Sequence, residues 1–140
     1  MKVLVVDDEP MIREILVERL GMHGPIIVEA GNGAEALAQL AQDPTISVVV
    51  SDIKMPGMDG INLIREARQR GHHQPFIFFT AFATRAMLNE VVKYGVHGFI
   101  DKSEMEGLDE AVMGLLAQQQ NSAAPLDVEA EIRKLGKGTT

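Results

Sequence analysis

The chain has 140 residues, a length that fits one domain, and 46% of them are apolar, which is enough for one compact core. Asp and Glu (20) outnumber Lys and Arg (13), and the net charge of −7 without any basic run argues against direct nucleic-acid binding by this segment and favours cationic partners or metal ions. Cysteine is absent, which excludes disulfides and a cysteine nucleophile, and no apolar stretch approaches the length of a membrane span, so we expect a soluble, cytoplasmic protein with no membrane partner.

Five short apolar runs alternate with helical patterns along the chain. The predicted strands are Lys2–Val6, Ile26–Ala30, Ile46–Ser51, Pro75–Phe79 and Val96–Ile100. Most of these runs are apolar throughout, as strands covered on both faces are, and this predicts a parallel sheet. The strict alternation of strand and helix predicts an α/β sandwich with right-handed crossovers.

The spacing of apolar residues in the helical segments predicts which side of each helix packs on the sheet. The first helix has Pro10 in its first turn and ends at Gly21, and Asp59 is placed to cap the third. The predicted interior positions of the first two helices are Met11, Ile15, Leu16 and Leu20, and Ala34, Leu37, Ala38 and Ala41.

The composition changes after Gln120, where Asn121 to Pro125 has the character of a linker. We therefore predict one domain over residues 1–120, followed by a linker or C-terminal tail over residues 121–140. Within that tail, Leu126 to Leu135 is predicted to form one short helix. The sequence leaves open whether the tail leads into an output domain or ends the protein.

Polar side chains follow four of the five predicted strands. Asp7 and Asp8 follow the first strand, Asp52 the third, Thr80 the fourth, and Lys102 comes just after the fifth. The carboxyl ends of parallel strands lie along one edge of the sheet, where ligands bind in doubly wound folds. We therefore expect three carboxylates, one hydroxyl and one ammonium group to meet there.

This combination of side chains suits phosphoryl transfer. Clustered carboxylates repel one another unless a cation lies among them, and oxygen-only ligands suit Mg²⁺. An aspartate can act as a nucleophile that forms an aspartyl phosphate, and a metal ion, a lysine and a threonine are suitable donors to the phosphoryl oxygens.

Four motifs together resemble a known family. LVVDDEP, DIKMPGMDG, the Thr80–Ala81 pair and the lone Lys102 are similar to the receiver domain of two-component response regulators, in order and with the family's spacing over about residues 2 to 120. The resemblance implies a flavodoxin-like fold, in which a five-stranded parallel sheet of order 2-1-3-4-5 is flanked by five helices in a three-layer sandwich. It also implies a signalling domain that is not an enzyme, except that it promotes its own phosphorylation and dephosphorylation.

The resemblance also implies a role for each site residue. Asp52 accepts a phosphoryl group from a histidine kinase or a His phosphotransfer protein, and Asp7 and Asp8 hold Mg²⁺ together with Asp52 and the backbone carbonyl of Lys54. Thr80 and Lys102 bind the phosphoryl group.

Switching is implied by the same resemblance. Thr80 and the aromatic Phe99 form the switch. The fourth helix, fifth strand and fifth helix are where we expect a downstream effector or a homodimer contact.

Two positions depart from the family. Ser103 follows Lys102 where receivers usually have proline after a cis peptide bond, and that bond is costly before serine. Asp101 stands where family members tend to be apolar, and we expect it to pair with Arg85 near the start of the fourth helix.

Other interpretations of the same residues remain open. Asp7 and Asp8 also suit the cap of the first helix, and Phe99 suits an ordinary core position. For the whole chain, the alternatives are a pseudo-receiver that serves only as an interaction module and, less favoured, an aspartate-nucleophile phosphatase. Such phosphatases of the haloacid dehalogenase type carry their nucleophile in a DxD motif on the first strand, where this chain has Asp7–Asp8.

Overall fold

The computed structural model describes residues 1–118 and 128–138. The predicted linker over residues 121–125 and the domain boundary at residue 120 lie outside the described residues, so both stay predictions. In the described part of the chain, strands and helices alternate through five β–α units, and a sixth helix follows. No helix in that part is both long enough and apolar enough to cross a membrane.

The five strands form one parallel sheet in the order β2-β1-β3-β4-β5, as the flavodoxin-like fold requires. The strands are β1 (Lys2–Val6), β2 (Ile26–Ala30), β3 (Ile46–Ser51), β4 (Phe76–Thr80) and β5 (Gly98–Asp101). The predicted fold class and strand order are therefore confirmed. The first three strands have the predicted bounds, whereas β4 and β5 begin and end slightly later than predicted. Pro75 has no N–H to donate and contributes only its carbonyl, which accepts from Val49, so the strand proper begins at Phe76.

The helices cover both faces of the sheet. They are α1 (Pro10–Gly21), α2 (Gly33–Gln42), α3 (Gly60–Gln69), α4 (Arg85–Val92), α5 (Met105–Gln118) and α6 (Val128–Gly138). Asn32, Asp59 and Thr84 cap α2, α3 and α4, because each side chain accepts a hydrogen bond from the backbone N–H three residues on. The cap predicted at Asp59 is thus confirmed.

Two hydrophobic cores lie on opposite faces of the sheet. One contains the buried residues of α2, α3 and α4, and the other contains those of α1 and α5. Successive residues of β1 alternate between them, because Leu4 and Val6 face the first core while Val3 and Val5 face the second. Covering both faces explains why the strand sequences are apolar throughout, and it makes the molecule a three-layer sandwich.

The predicted interior positions of α1 and α2 are wrong in part. Leu16 and Leu20 are buried as predicted, but Met11 is 75% exposed and Ile15 is 43% exposed. These two residues form a second apolar stripe that faces away from the sheet. The spacing of apolar residues alone does not show which stripe packs on the sheet. In α2 the buried residues are Gly33, Ala36, Leu37 and Leu40, so only Leu37 of the predicted set faces the core.

The last helix lies within the predicted tail. α6 packs beside α4, with Ile132 and Leu135 partly buried against the core that α2, α3 and α4 share. The described part of the chain therefore has six helices, one more than the family resemblance implies, and the additional helix lies on the face that carries α2, α3 and α4.

Candidate functional site

The site residues extend from the sheet itself. The N–H of Asp52 donates to the carbonyl of Val6 at 2.9 Å, and that of Asp7 donates to the carbonyl of Ala30 at 3.1 Å. Lys102 donates in the same way to the carbonyl of Thr80 at 3.0 Å. The backbone pairing thus continues one residue past the ends of β1, β3 and β5. The side chains of Asp7, Asp52 and Lys102 are therefore attached to backbone that is hydrogen-bonded as in a strand.

Asp52 lies at the centre of the site. Its side chain is almost fully buried, and Oδ1 accepts hydrogen bonds from the Ile53 N–H at 2.7 Å and from the Thr80 hydroxyl at 2.8 Å. Oδ2 pairs with Lys102 Nζ, also at 2.8 Å. Both donors that the sequence assigns to a phosphoryl group therefore already contact the carboxylate.

Lys102 connects the carboxylates of neighbouring strands. Nζ lies 2.8 Å from Asp52, 3.0 Å from Asp7 and 3.3 Å from Glu9, and the side chain is only 14% exposed. Burial alone lowers the pKa of the ammonium group, but hydrogen bonds to Asp52 and Asp7 outweigh burial and raise the pKa of Lys102 above its ordinary value. Lys102 is therefore a fixed positive charge at this edge of the sheet.

Asp7 is a buried carboxyl group beside Asp52 and Lys102. Burial raises the pKa of the Asp7 carboxyl, and the N–H of Glu9 and the ammonium of Lys102 offset this only in part. Its Oδ1 accepts from the Glu9 N–H at 2.9 Å, which precedes the first helical residue of α1. The side chain therefore orders the turn before the helix, and no side-chain cap is present at Glu9.

Four carboxylates form one group that suits a cation. Asp7, Asp8, Glu9 and Asp52 each offer an oxygen, and these oxygens lie within 4.8 Å of one another, with Asp7 and Asp52 buried. Oxygen ligands of this kind fit Mg²⁺, which keeps several waters and takes few carboxylates. The structure thus brings together the three aspartates predicted as metal ligands.

Glu9 is part of this group of carboxylates, and the backbone carbonyl of Lys54 is the remaining predicted ligand. Glu9 was missed by the sequence reasoning, because a glutamate before Pro10 is also ordinary at a helix start. Its only sequence signal is that it directly follows the aspartate pair. Lys54 lies in the loop after Asp52 with its side chain exposed, and the role of its carbonyl stays a prediction.

The loops on either side of Thr80 and Lys102 are joined by Asp101. Its oxygens accept from the N–H groups of Ala83 and Ser103, both at 3.0 Å, so the expected pairing with Arg85 is wrong. Burial raises the pKa of the Asp101 carboxyl, but the hydrogen bonds from Ser103 and Ala83 outweigh it, and the net shift is downward. Asp101 therefore fixes the loop that carries Lys102, and the Lys102–Ser103 peptide bond is trans.

The predicted switch residues both face inward. Thr80 donates to Asp52 as described above, and Phe99 is only 4% exposed within the core beneath α4. Phe82, in the loop between β4 and α4, adopts a φ of 54°, which lies in the left-handed region, and the residue is 82% exposed.

Comparison with known proteins places these features in one family. The family profile described as "Response regulator receiver domain" matches residues 3–113. The chain is 34% identical over 129 residues to the transcriptional activator protein ExaE of Pseudomonas putida, and the alignment covers 90% of this chain and 60% of that protein. It is 36% identical over 102 residues to the sensor histidine kinase RcsC of Escherichia coli, covering 73% of this chain and 11% of the kinase. The chain therefore spans less than two thirds of these curated relatives.

Among solved structures, the response regulator TrrA from Thermotoga maritima is similar to most of this chain. It was determined in complex with Mg²⁺ and BeF, and it superimposes with a TM-score of 0.73 at 34% identity. The alignment covers 81% of this chain and 97% of the TrrA chain. The similarity therefore extends over nearly all of a domain whose structure holds Mg²⁺ and BeF.

Proposed function

Because the chain belongs to the family of response regulator receiver domains, we propose that Asp52 accepts a phosphoryl group from a phosphohistidine and thereby changes the surface formed by α4, β5 and α5. Receiver domains are signalling domains of two-component systems, and phosphoryl acceptance is their general function. The phosphohistidine belongs to a histidine kinase or a His phosphotransfer protein.

One observation carries the proposal. Asp52 is the only carboxylate among the described residues that contacts both the Thr80 hydroxyl and the Lys102 ammonium, at 2.8 Å each. It also extends directly from β3, so its position relative to those two donors is fixed by the sheet. Positioning of this kind supplies much of the rate enhancement in phosphoryl transfer.

The transfer exchanges one bond for another. An oxygen of the Asp52 carboxylate forms a bond to phosphorus, the phosphorus–nitrogen bond of the phosphohistidine breaks, and its electron pair stays on the imidazole nitrogen. The Thr80 hydroxyl and the Lys102 ammonium then donate to phosphoryl oxygens instead of to the carboxylate. Both donors stabilise the negative charge that the phosphoryl group brings.

Mg²⁺ fits this site because the site offers several oxygen donors, four of them carboxylates that lie close together. When bound, Mg²⁺ supplies positive charge to the phosphoryl oxygens and reduces repulsion among the carboxylates. We assign Asp7, Asp8, Asp52 and the carbonyl of Lys54 as the residues that hold it. Glu9 is a further candidate because it belongs to the same group of carboxylates.

The proposed donor and output proteins follow from the family. RcsC is named as a sensor histidine kinase and ExaE as a transcriptional activator, so relatives of this chain occur in both kinds of protein. For this chain we propose transfer from a histidine kinase or a His phosphotransfer protein. The output is a downstream effector, an output domain of a longer chain, or a homodimer formed through α4, β5 and α5.

Incubation with acetyl phosphate and Mg²⁺, followed by intact-protein mass spectrometry and peptide mapping, tests the proposal. We expect one phosphoryl group per chain on Asp52, none on Asp52→Asn, and unchanged labelling of Asp59→Asn, which alters only the cap of α3. Failure of the wild type to take up label would identify a pseudo-receiver. Rapid turnover of many phosphate esters would instead identify an aspartate-nucleophile phosphatase, and either outcome overturns the proposal.

A further inference from the structure

The C-terminal helix has the pattern of a helix that binds a surface. Val128, Ile132 and Leu135 are spaced by four and three residues, so they share one side of α6. Glu129 and Arg133 on other sides are exposed. The helix has 11 residues, and isolated helices shorter than about 12–15 residues are marginal in water. Its helical conformation therefore depends on the surface against which it packs.

The surface against which α6 packs is part of the hydrophobic core that α4 and β5 share. Ile132 and Leu135 pack against the hydrophobic cluster that includes Leu88 and Val91 of α4 and Phe99 of β5. α6 and α4 are neighbours in the fold. α6 therefore packs on α4 and borders a cleft whose other walls are β5 and α5, the remaining elements of the proposed output surface.

The packing of α6 is incomplete. Val128, Ile132 and Leu135 all stay partly exposed, and a cleft of about 350 Å³ separates α6 from β5 and α5. Glu104 and Glu110 from the α5 side line this cleft together with Glu131 from α6. A small, partly exposed apolar contact beside a cleft favours reversible docking.

The connection to α5 favours docking within one chain. The backbone from Gln118 to Val128 spans at most about 35 Å when fully extended, so α6 stays close to its own α4 and β5. Short tethers correspond to effective concentrations in the millimolar range, which exceed the concentration of any other copy in ordinary samples. The occupant that the structure supports is therefore the chain's own α6.

We propose that α4 and β5 form a helix-binding face, that α6 is its intramolecular ligand, and that α6 must be displaced before another amphipathic helix binds there. The competing helix needs apolar residues with the same four-and-three spacing as Val128, Ile132 and Leu135. The inference concerns the surface only and does not require phosphorylation of Asp52. Its tests and those of the proposed function are therefore independent.

A spin label on α6 tests the docking in the full chain. Because the chain has no cysteine, Glu129→Cys gives a single attachment site on an exposed position. We expect the nitroxide to broaden amide signals of α4 and β5 and to leave β2, at the opposite edge of the sheet, unchanged. Adding Ile132→Asp and Leu135→Asp removes the broadening, whereas the exposed control Arg133→Ala keeps it.

Competition is tested with a synthetic peptide of residues 128–138. We expect it to shift amide signals of α4 and β5 in the 140-residue Ile132→Asp/Leu135→Asp variant. If α6 is docked nine-tenths of the time, the same peptide binds the wild type about tenfold more weakly. The same peptide carrying both aspartates is the control and shifts neither protein.

Three results would overturn the inference. Absence of broadening on α4 and β5 in the labelled wild type shows that α6 does not dock there. Broadening that grows with protein concentration shows that α6 binds a second copy. Equal affinity of the peptide for wild type and variant shows that α6 does not compete for the face.

Discussion

At the scale of single residues, Phe82 combines two costs. Its φ of 54° lies in the left-handed region, which is unfavourable for residues other than glycine. The residue is also 82% exposed, so little apolar burial compensates for the backbone strain. Backbone strain of this kind persists where the surrounding structure imposes it, and it often occurs at functional sites. Here the strained residue lies two positions after Thr80, whose hydroxyl contacts Asp52.

Replacing Phe82 by glycine relieves this strain, whereas alanine retains it. We expect Phe82→Gly to be more stable than Phe82→Ala by about 1 kcal/mol in urea unfolding, because both variants lose the same exposed ring and only glycine adopts positive φ freely. Equal stability of the two variants would show that the loop relaxes away from positive φ. Comparing the phosphorylation of both variants by acetyl phosphate with that of the wild type shows whether the aromatic ring itself contributes to the site.

Asp8 offers a test of the cation site. Without Mg²⁺, we expect Asp8→Asn to melt at the same temperature as the wild type or slightly higher, because one of four close carboxylates is removed. Added Mg²⁺ then raises the melting temperature of the wild type but not that of the variant. Glu14→Gln, on the exposed side of α1, is the control and keeps the response to Mg²⁺. A large loss of stability in the metal-free variant would contradict the assignment.

At the scale of elements, α2 and α3 both begin with glycine but for different reasons. A Cβ on Gly60 clashes with the backbone carbonyl of Asp52 and lies 2.9 Å from the Ile53 Cα. The atoms nearest to a Cβ on Gly33 are Cγ, Cβ and Sδ of Met58, at 2.8–2.9 Å. The start of α3 is therefore pressed against the backbone of the proposed phosphoacceptor, while the start of α2 is pressed against a side chain.

This difference predicts unequal effects of the same substitution. We expect Gly60→Ala to destabilise the fold by about 1–3 kcal/mol and to slow labelling of Asp52, because the clash is with backbone that carries the site. Gly33→Ala should cost less than Gly60→Ala and leave the labelling of Asp52 unchanged, since its clash is with the side chain of Met58 and not with backbone of the site. Urea unfolding and acetyl phosphate labelling of both variants measure the two effects, and similar losses in the pair would refute the argument.

The strands and the residues at their ends could be predicted from the sequence, whereas contacts made by the loops could not. The strands β1 and β3 and the meeting of Asp52, Thr80 and Lys102 were predictable, because a parallel sheet brings strand ends to one edge whatever the loops do. The pairing of Asp101 with backbone N–H groups was not, since it depends on the path of two loops. The buried side of α1 was predicted only in part, because Met11 and Ile15 form a second stripe that periodicity cannot distinguish from the first.

At the scale of the whole molecule, one ion pair links distant parts of the chain. Lys2 at the start of β1 and Asp43 at the end of α2 are 2.6 Å apart. The hydrogen bond from Lys2, followed by those from Thr45, lowers the pKa of Asp43 from 3.8 to about 2. A carboxyl with a lowered pKa in the folded state contributes stability that is present above its unfolded pKa and is lost as the pH falls towards the folded value.

We therefore expect the effect of this pair to disappear in acid. Asp43→Asn should lower the urea midpoint relative to the wild type above pH 5, and the difference should shrink as the pH falls from about 4 towards 2. A double-mutant cycle with Lys2→Met isolates the pair, and its coupling should follow the same pH dependence. Coupling that stays constant down to pH 2 would show that the charge of Asp43 is not responsible.

The extension of strand pairing past β1, β3 and β5 has a consequence for the persistence of the site. The amides of Asp7, Asp52 and Lys102 all donate to backbone carbonyls at the sheet edge. Their hydrogens should therefore exchange with solvent deuterium as slowly as those of the central strands, which exchange only when the domain opens as a unit. α6, with its partial packing, should exchange through local opening. We therefore expect the site to open only together with the sheet, and α6 to leave α4 and return to it many times between such openings.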